Sequence, residues 1–275
     1  MRIAASIPAY KEALFLDYAL ESIYGFVDEV IVVNAAMQAS IDAGYGYESG
    51  DGTEEIIEKW KKADNVHVLT SKKAPKTFKE LMAPALNLAK DIGCDWFFTV
   101  GADEIWPEKA LVPLRSFLTN CEKNGILGLN VWMNIFAPDF WHFKDFRNPR
   151  LAKITEDCEL SWGDSMRWPR RGVYQFAGDT KVPVPVGTPE NVAKVNSDYP
   201  RQLRAFHYSC VGEERVKFKA NFYKKFDGTF GDKYTEAYLK QDWEKFGEFG
   251  YKKFTGKHPK IMEKHPLYSE TKWSI

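Results

Sequence analysis

The amino-acid sequence predicts an α/β fold in which a mostly parallel sheet is flanked by helices and followed by a C-terminal helical extension. Two observations carry this. Across residues 1 to 106, apolar runs of strand length alternate with segments whose apolar residues recur at helical spacing, the β-α-β rhythm of a parallel sheet with right-handed crossovers. The clearest of these runs, Glu29 to Val33, is almost wholly β-branched, as suits a strand buried on both faces.

Taken in order, Ile3 to Ile7 is the first strand, ended by Pro8. Glu12 to Tyr24 places Leu16, Ala19, Leu20, Ile23 and Tyr24 on one helical stripe, and Gly25 stops it. Glu29 to Val33 is the second strand. The next stretch, Ala35 to Gly50, is irregular and holds Gly44, Gly46 and Gly50. It ends in Asp51-Gly52-Thr53, where Thr53 is placed to cap a helix from Glu54 to Lys62. Val66 to Leu69 is a third strand, and Phe78 to Ile92 a helix whose internal Pro84 should kink or restart it. Trp96 to Val100 is the fourth strand, stopping at Gly101. Beyond Pro107 the pattern loosens. Ala110 to Asn124 reads as a helix, Gly128 to Ile135 as a strand, and Pro138 to Pro200 as a Trp-, Phe-, Arg- and Pro-rich stretch without an assigned element. Leu203 to Val211 reads as a strand, Glu213 to Phe226 as a helix, and a Lys- and aromatic-rich tail closes the chain.

With 275 residues, 44% of them hydrophobic, the chain can bury a full core. Lys plus Arg equals Asp plus Glu at 38 each, so no global field draws it onto nucleic acid or an anionic membrane. The four cysteines form no CxxC pair, which points away from a zinc cluster or disulfide framework and toward reduced thiols in a cytoplasmic enzyme. The short apolar start is broken at Pro8 and does not read as a signal peptide, and no run reaches the ~18 apolar residues of a membrane span. A cytoplasmic protein is expected, with at most peripheral membrane contact.

The chemistry concentrates at Gly101-Ala102-Asp103-Glu104. These residues leave the carboxyl end of a strand, where open α/β sheets bind ligands. Adjacent carboxylates repel a phosphorylated ligand unless a divalent cation stands between, and hard oxygen donors suit Mg2+ or Mn2+. A solvated acidic turn is the other reading of these four residues alone.

Three further places complete a pattern. Ile7-Pro8-Ala9-Tyr10-Lys11-Glu12 closes the first strand. Val30-Ile31-Val32-Val33-Asn34 is followed by Ser49-Gly50-Asp51-Gly52-Thr53, and Phe206-His207-Tyr208-Ser209 opens a Glu-, Arg- and Lys-rich helix. In this order and spacing the four places resemble a GT-A glycosyltransferase of the family-2 type, Rossmann-like inverting enzymes that move a sugar from a nucleotide diphosphate to an acceptor. They are similar to the family's Pro-x-Tyr/Phe-Asn-Glu ending, its Asp-x-x-Ser-x-Asp-Gly-Thr turn stretched by an insertion, the Asp-Ala-Asp-Glu form of its DxD motif, and its His-Tyr segment. Two departures stand out: Gly101 replaces the first Asp of DxD, and Asn34-Ala35 replaces an acidic pair, with Asp51 as a possible substitute.

The resemblance implies a catalytic domain over residues 1–211, with a nucleotide-sugar half at 1–106 and an acceptor half at 107–211, and a helical extension over 212–275. It implies a nucleotide-diphosphate sugar donor, a UDP-sugar being favoured, and the hydroxyl of a glycan or lipid-linked acceptor. Nucleotide contacts fall on Pro8, Ala9, Tyr10, Glu12, Asn34, Asp51, Ala102 and Asp103, and Mn2+ or Mg2+ on Asp103 with His207. A core histidine is the plainer reading of His207 by itself. Inversion needs a carboxylate to take the acceptor proton. Asp164, in Trp162-Gly163-Asp164-Ser165, is the first candidate beside an aromatic sugar platform, and Asp145 is the second. Glu104 reads as a catalytic-site residue that contacts the acceptor or holds the loop, or else as an ordinary surface glutamate. Either aspartate could simply be a turn residue.

Arg147, Arg150, Arg167, Arg170 and Arg171 make a basic segment from which Arg171 is the candidate diphosphate clamp, the rest being solvent-facing or paired with acids. Phe218, Phe222 and Phe226 among lysines read either as a core stripe or as a surface for a lipid-linked acceptor. A sugar nucleotidyltransferase and a dehydrogenase both want a glycine-rich phosphate loop after the first strand, which Pro8-Ala9-Tyr10-Lys11 lacks. The nucleotidyltransferase is the closest rival enzyme class, and a glycan-binding protein that kept the fold without catalysis is a rival of a different class.

Overall fold

The computed structural model describes residues 1–160, 166–167, 204–228, 235–237, 240 and 242–268. Its first half runs β1 (Ile3–Ala9), α1 (Leu16–Ile23), β2 (Glu29–Asn34), α2 (Gln38–Asp42), α3 (Thr53–Trp60), β3 (Val66–Thr70), α4 (Phe78–Asp91) and β4 (Trp96–Thr99). There follow β5 (Glu104–Ile105), α5 (Glu108–Leu111), α6 (Leu114–Lys123), β6 (Gly128–Phe136), β7 (His142–Lys153), β8 (Glu159–Leu160), β9 (Met166–Arg167) and β10 (Arg204–His207). Last come α7 (Glu213–Phe226), α8 (Trp243–Glu248), β11 (Lys252–Lys253) and a 3-10 turn at Lys260–Lys264.

One large sheet has the order β3-β2-β1-β4-β7-β6-β10-β5, with β11 on β7. Strands β3, β2, β1 and β4 are mutually parallel, and β7 turns the sheet antiparallel against both β4 and β6. Side chains alternate between its faces: Ile3, Ala5 and Ile7 pack with α1 and α6 in one core, while Ala4, Ile31, Val33 and Phe97 pack with α4 in another. This two-sided burial is the physical reason the first strands lack polar alternation. A third core stacks Phe15, Phe136, Phe140 and Tyr208 against Phe254 and Met262, which ties the segment after β11 to the sheet.

Several expectations are refined. The helix expected over 54–62 begins at Thr53 itself, and Gly52, at φ 99°, is the cap. Thr53 does not cap because its Oγ1 accepts from the Glu12 amide and donates to Asp51 Oδ1, which also accepts from the Thr53 amide. Helix α4 runs unbroken through Pro84, which lies on its exposed face where a missing N–H leaves no buried group unpaired. Its start is fixed by Thr77, whose hydroxyl accepts from the Glu80 amide. The single helix expected at 110–124 is two, with Pro113 capping the second. The largest departure is β7, a twelve-residue strand in the stretch without an assigned element. Pro149 reads as a breaker, yet it sits where β6 and β7 shift register, the place a strand tolerates proline. No helix among the described residues is long and apolar enough to cross a membrane.

Candidate active site

The chain leaves β1 toward β2 and β3, then returns to lay β4 on the other side of β1. This reversal makes a topological switch point, and the crevice outside the carboxyl ends of β1 and β4 is the expected ligand site of such a sheet. Pro8, Ala9 and Tyr10 leave one strand there and Gly101 to Glu104 the other. They line a cleft of about 310 Å³ that is completed by Ala35 and Met37, by His207 and Ser209 after β10, and by Phe218, Lys219, Phe222 and Tyr223 of α7.

Asp103 is the electrostatic centre and is 4% exposed. The antiparallel register His207↔Glu104 and the bond from the Tyr208 amide to the Asp103 carbonyl bring His207 alongside, with its Nε2 3.1 Å from Asp103 Oδ1. Asp103 Oδ2 accepts from Lys219 Nζ at 2.7 Å and from the Arg215 guanidinium. Arg215 also donates twice to Glu12 and once, through Nε, to the Ser209 carbonyl. Burial alone would raise the carboxyl of Asp103, but His207, Lys219 and Arg215 together hold it well below the usual range. Burial and Arg215 oppose the charge on Lys219, and Asp103 and Glu12 outweigh them to raise its pKa. For Glu12, burial with Asp103 nearby outweighs Arg215 and pushes the carboxyl up.

Gly101 has a steric reason. A Cβ there would meet Asp103 Oδ1 at 2.8 Å, Glu104 Oε1 at 2.9 Å and Glu104 Cγ at 3.0 Å, so the two inward-turned carboxylates fill the space that an aspartate at 101 would need. Glu104, 1% exposed, is held by Arg150, whose Nε lies 3.0 Å and 3.1 Å from its two oxygens. It touches the cleft while its carboxylate serves as the buried partner of β7.

The expected ligand set for a metal, Asp103 with His207, does not fit a divalent cation as the residues stand. Both oxygens of Asp103 already face nitrogen groups, and two of those groups are cations. An added dication would stand beside Lys219 and Arg215, at roughly 8 kcal/mol of repulsion from each at ~4 Å and an effective dielectric near 20. No group of three or more His, Cys, Asp or Glu among the described residues could hold a metal ion.

Of the other expected contacts, Pro8, Ala9, Tyr10, Glu12 and Ala102 line the cleft, and Asn34 and Asp51 do not. Asn34 ends β2 one strand away, and Asp51 is occupied with Thr53 and the Ala13 amide. Asp145 is outside the cleft lining too, exposed on β7 and paired with Arg204 and Lys252. Asp164 and Arg171 lie outside the described residues, and Arg150 answers to Glu104 rather than to open solvent. The Phe218, Phe222, Phe226 stripe faces inward: Phe218 meets Tyr10 and Tyr45, and Phe226 meets Phe78. That face therefore packs on the protein's own aromatic side chains and, through Phe218 and Phe222, lines the cleft. Arg215 and Lys219 were the residues missed. They are four residues apart and each lies three residues before a phenylalanine of the stripe, Phe218 or Phe222, which puts them on the apolar face of α7, and a cation on such a face is the signal that could have found them. The four cysteines are free and buried, with burial pushing Cys94 up to about 11 and Cys121 to about 12, so these two thiols stay protonated and unreactive.

No family model matches this chain, and no curated protein does. Among solved structures, TarS 1-349 of S. aureus in complex with UDP-GlcNAc is similar at 18% identity and a TM-score of 0.35, covering 49% of this chain and 34% of TarS. Glucosyl-3-phosphoglycerate synthase from Mycobacterium tuberculosis, in complex with Mn2+, UDP and phosphoglyceric acid, is similar at 17% identity and 0.29, covering 49% and 43%. Mannose-6-phosphate isomerase from Helicobacter pylori is similar at 12% identity and 0.30, covering 52% and 55%. The chain thus spans about a third of the length of TarS 1-349.

Proposed function

We propose that this chain is a glycosyltransferase that binds a nucleotide-diphosphate sugar, a UDP-sugar being favoured, at the β1/β4 switch point and passes the sugar to an acceptor hydroxyl with inversion. One observation carries the reading: Pro8-Ala9-Tyr10 and Gly101-Ala102-Asp103-Glu104 converge from two neighbouring parallel strands on one cleft. The geometry suits the donor. Apolar walls from Ala35, Met37 and Phe218 accept a base and ribose, while polar groups gather at the Asp103 end, the usual division of labour in a small-molecule pocket.

In the reaction the acceptor oxygen bonds to the anomeric carbon as the bond from that carbon to the diphosphate oxygen breaks, and a carboxylate takes the acceptor proton. Asp164 is the proposed base, and the acceptor is the hydroxyl of a glycan or a lipid-linked sugar. The proposed division is a catalytic unit over 1–211 and an extension over 212–275 whose first helix, α7, serves the same cleft.

Thermal unfolding with UDP, GDP, dTDP and CMP tests this, since a ligand that binds only the native state raises its apparent stability. Stabilisation by one nucleoside diphosphate, with slow hydrolysis of the corresponding nucleotide sugar that Asp103→Asn and Asp164→Asn both abolish, is the expected result. No response to any nucleotide turns the reading toward a glycan-binding protein. Formation of a nucleotide sugar from a sugar phosphate and a nucleoside triphosphate turns it toward a nucleotidyltransferase.

A further inference from the structure

Resting on the reading above, we infer that Lys219 takes the place of a divalent cation in this cleft, as the positive group that receives the diphosphate when the sugar departs. Asp103 is then its anchor and no longer a metal ligand. The two cations on Asp103 are not equivalent. Arg215 spends its N–H groups on Glu12, Asp103 and the Ser209 carbonyl and does not line the cleft. Lys219 does line it, with its side chain 12% exposed. Its ammonium has three N–H groups, of which two go to Asp103 Oδ2 at 2.7 Å and Ser209 Oγ at 3.0 Å, leaving one for a ligand.

Charge bookkeeping supports the same division. Glu12 and Asp103 balance Arg215 and Lys219 before any ligand arrives, so Arg215 can keep hold of both carboxylates while Lys219 turns on its flexible stem toward a phosphate. As the anomeric carbon–oxygen bond breaks, its electron pair stays on the β-phosphate oxygen, and a Lys219 N–H hydrogen-bonds to that oxygen without giving up its proton. The acceptor's proton goes to the base carboxylate, so the step balances with no further reactant. Gly101 belongs to this arrangement: the first acid of a metal-binding DxD is absent where the two retained carboxylates turn inward onto resident cations.

The test is calorimetric titration of the purified full chain with UDP, GDP and dTDP, once with EDTA and once with Mn2+, for the wild type, Lys219→Gln and Lys219→Arg. For the diphosphate that binds, the Kd should agree within about twofold between the two buffers. Lys219→Gln should weaken it roughly 10- to 100-fold, the fold-change that a charge-assisted hydrogen bond supports. Lys219→Arg should restore most of the loss, and the affinity for the parent nucleoside, which lacks phosphate, should not move in any variant. The wild-type comparison of buffers needs no variant to fold. Binding that vanishes in EDTA and returns with Mn2+, or a Kd that Lys219→Gln leaves unchanged while its melting temperature is native, overturns the inference but spares the nucleotide-sugar reading. Absence of binding by any of the three in both buffers removes that reading, and this inference with it.

Discussion

Gly101→Ala is the smallest change that tests how the carboxylate cradle is built. The added methyl would lie 2.8 Å from Asp103 Oδ1 and 2.9 Å and 3.0 Å from Glu104 Oε1 and Cγ. Overpacking of this kind costs about 1–3 kcal/mol, and where a site falls in that range depends on whether its neighbours can give way. Here neither can do so freely. Asp103 is held on both oxygens by His207, Lys219 and Arg215, and Glu104 is held by Arg150. Displacing either strains a buried ion pair, so the upper part of the range applies, about 2–3 kcal/mol. At roughly 2–4 °C per kcal/mol for a chain of comparable size, the melting temperature should fall by roughly 4–12 °C. Urea unfolding followed by circular dichroism gives the free energy. Gly25→Ala is the internal control, because nothing lies within 4 Å of a Cβ there, and it should stay within about 0.5 kcal/mol. A Gly101→Ala protein as stable as that control would refute the packing of the two carboxylates beneath residue 101.

Three other perturbations follow from the same contacts. Arg150→Met leaves Glu104 charged, buried and alone, at about 3–5 kcal/mol; the double variant with Glu104→Leu should recover most of it, and a double-mutant cycle in urea that shows no coupling would contradict the pairing. Burial pushes both His258 and His265 down to about 4, below the ~6.5 of an unfolded chain. The unfolded state therefore takes up their protons first as pH falls: their stabilising contribution is full above about pH 6.5 and is lost toward pH 4. At about pH 5 the loss is about 2 kcal/mol for each, and the acid slope of the urea midpoint should flatten in a His258→Gln/His265→Gln protein; an unchanged slope would be evidence against it. Asp145→Asn breaks only exposed pairs with Arg204 and Lys252, so it should cost less than about 1 kcal/mol and leave nucleotide-sugar hydrolysis as it was. A large loss of hydrolysis would restore Asp145 as the base.

What could be read in advance, and what could not, follows from how local each signal is. Strands β1, β2 and β4 were legible because burial on both faces forces unbroken apolar runs, and the Gly101–Glu104 turn was legible because it ends one of them. Strand β7 was hidden because its polar residues Lys144 and Asp145 answer to partners far along the chain, Lys144 lying over Tyr251 and Asp145 pairing with Lys252 and Arg204, and because Pro149 imitates a terminator. Arg215 and Lys219 were hidden for a related reason. Their meaning depends on Asp103, 112 and 116 residues earlier, and only the fold brings the three together. Gly101 was visible as a departure from a motif, but its cause lies in where two neighbouring side chains point, which no spacing encodes.

The most direct measurement of the central claim is a crystal structure of the chain grown with a nucleoside diphosphate. The account predicts the diphosphate in the cleft between Pro8-Ala9-Tyr10 and Gly101-Ala102-Asp103-Glu104, with a phosphate oxygen within hydrogen-bond distance of Lys219 Nζ. A nucleotide bound elsewhere on the molecule, with the cleft empty, would contradict it.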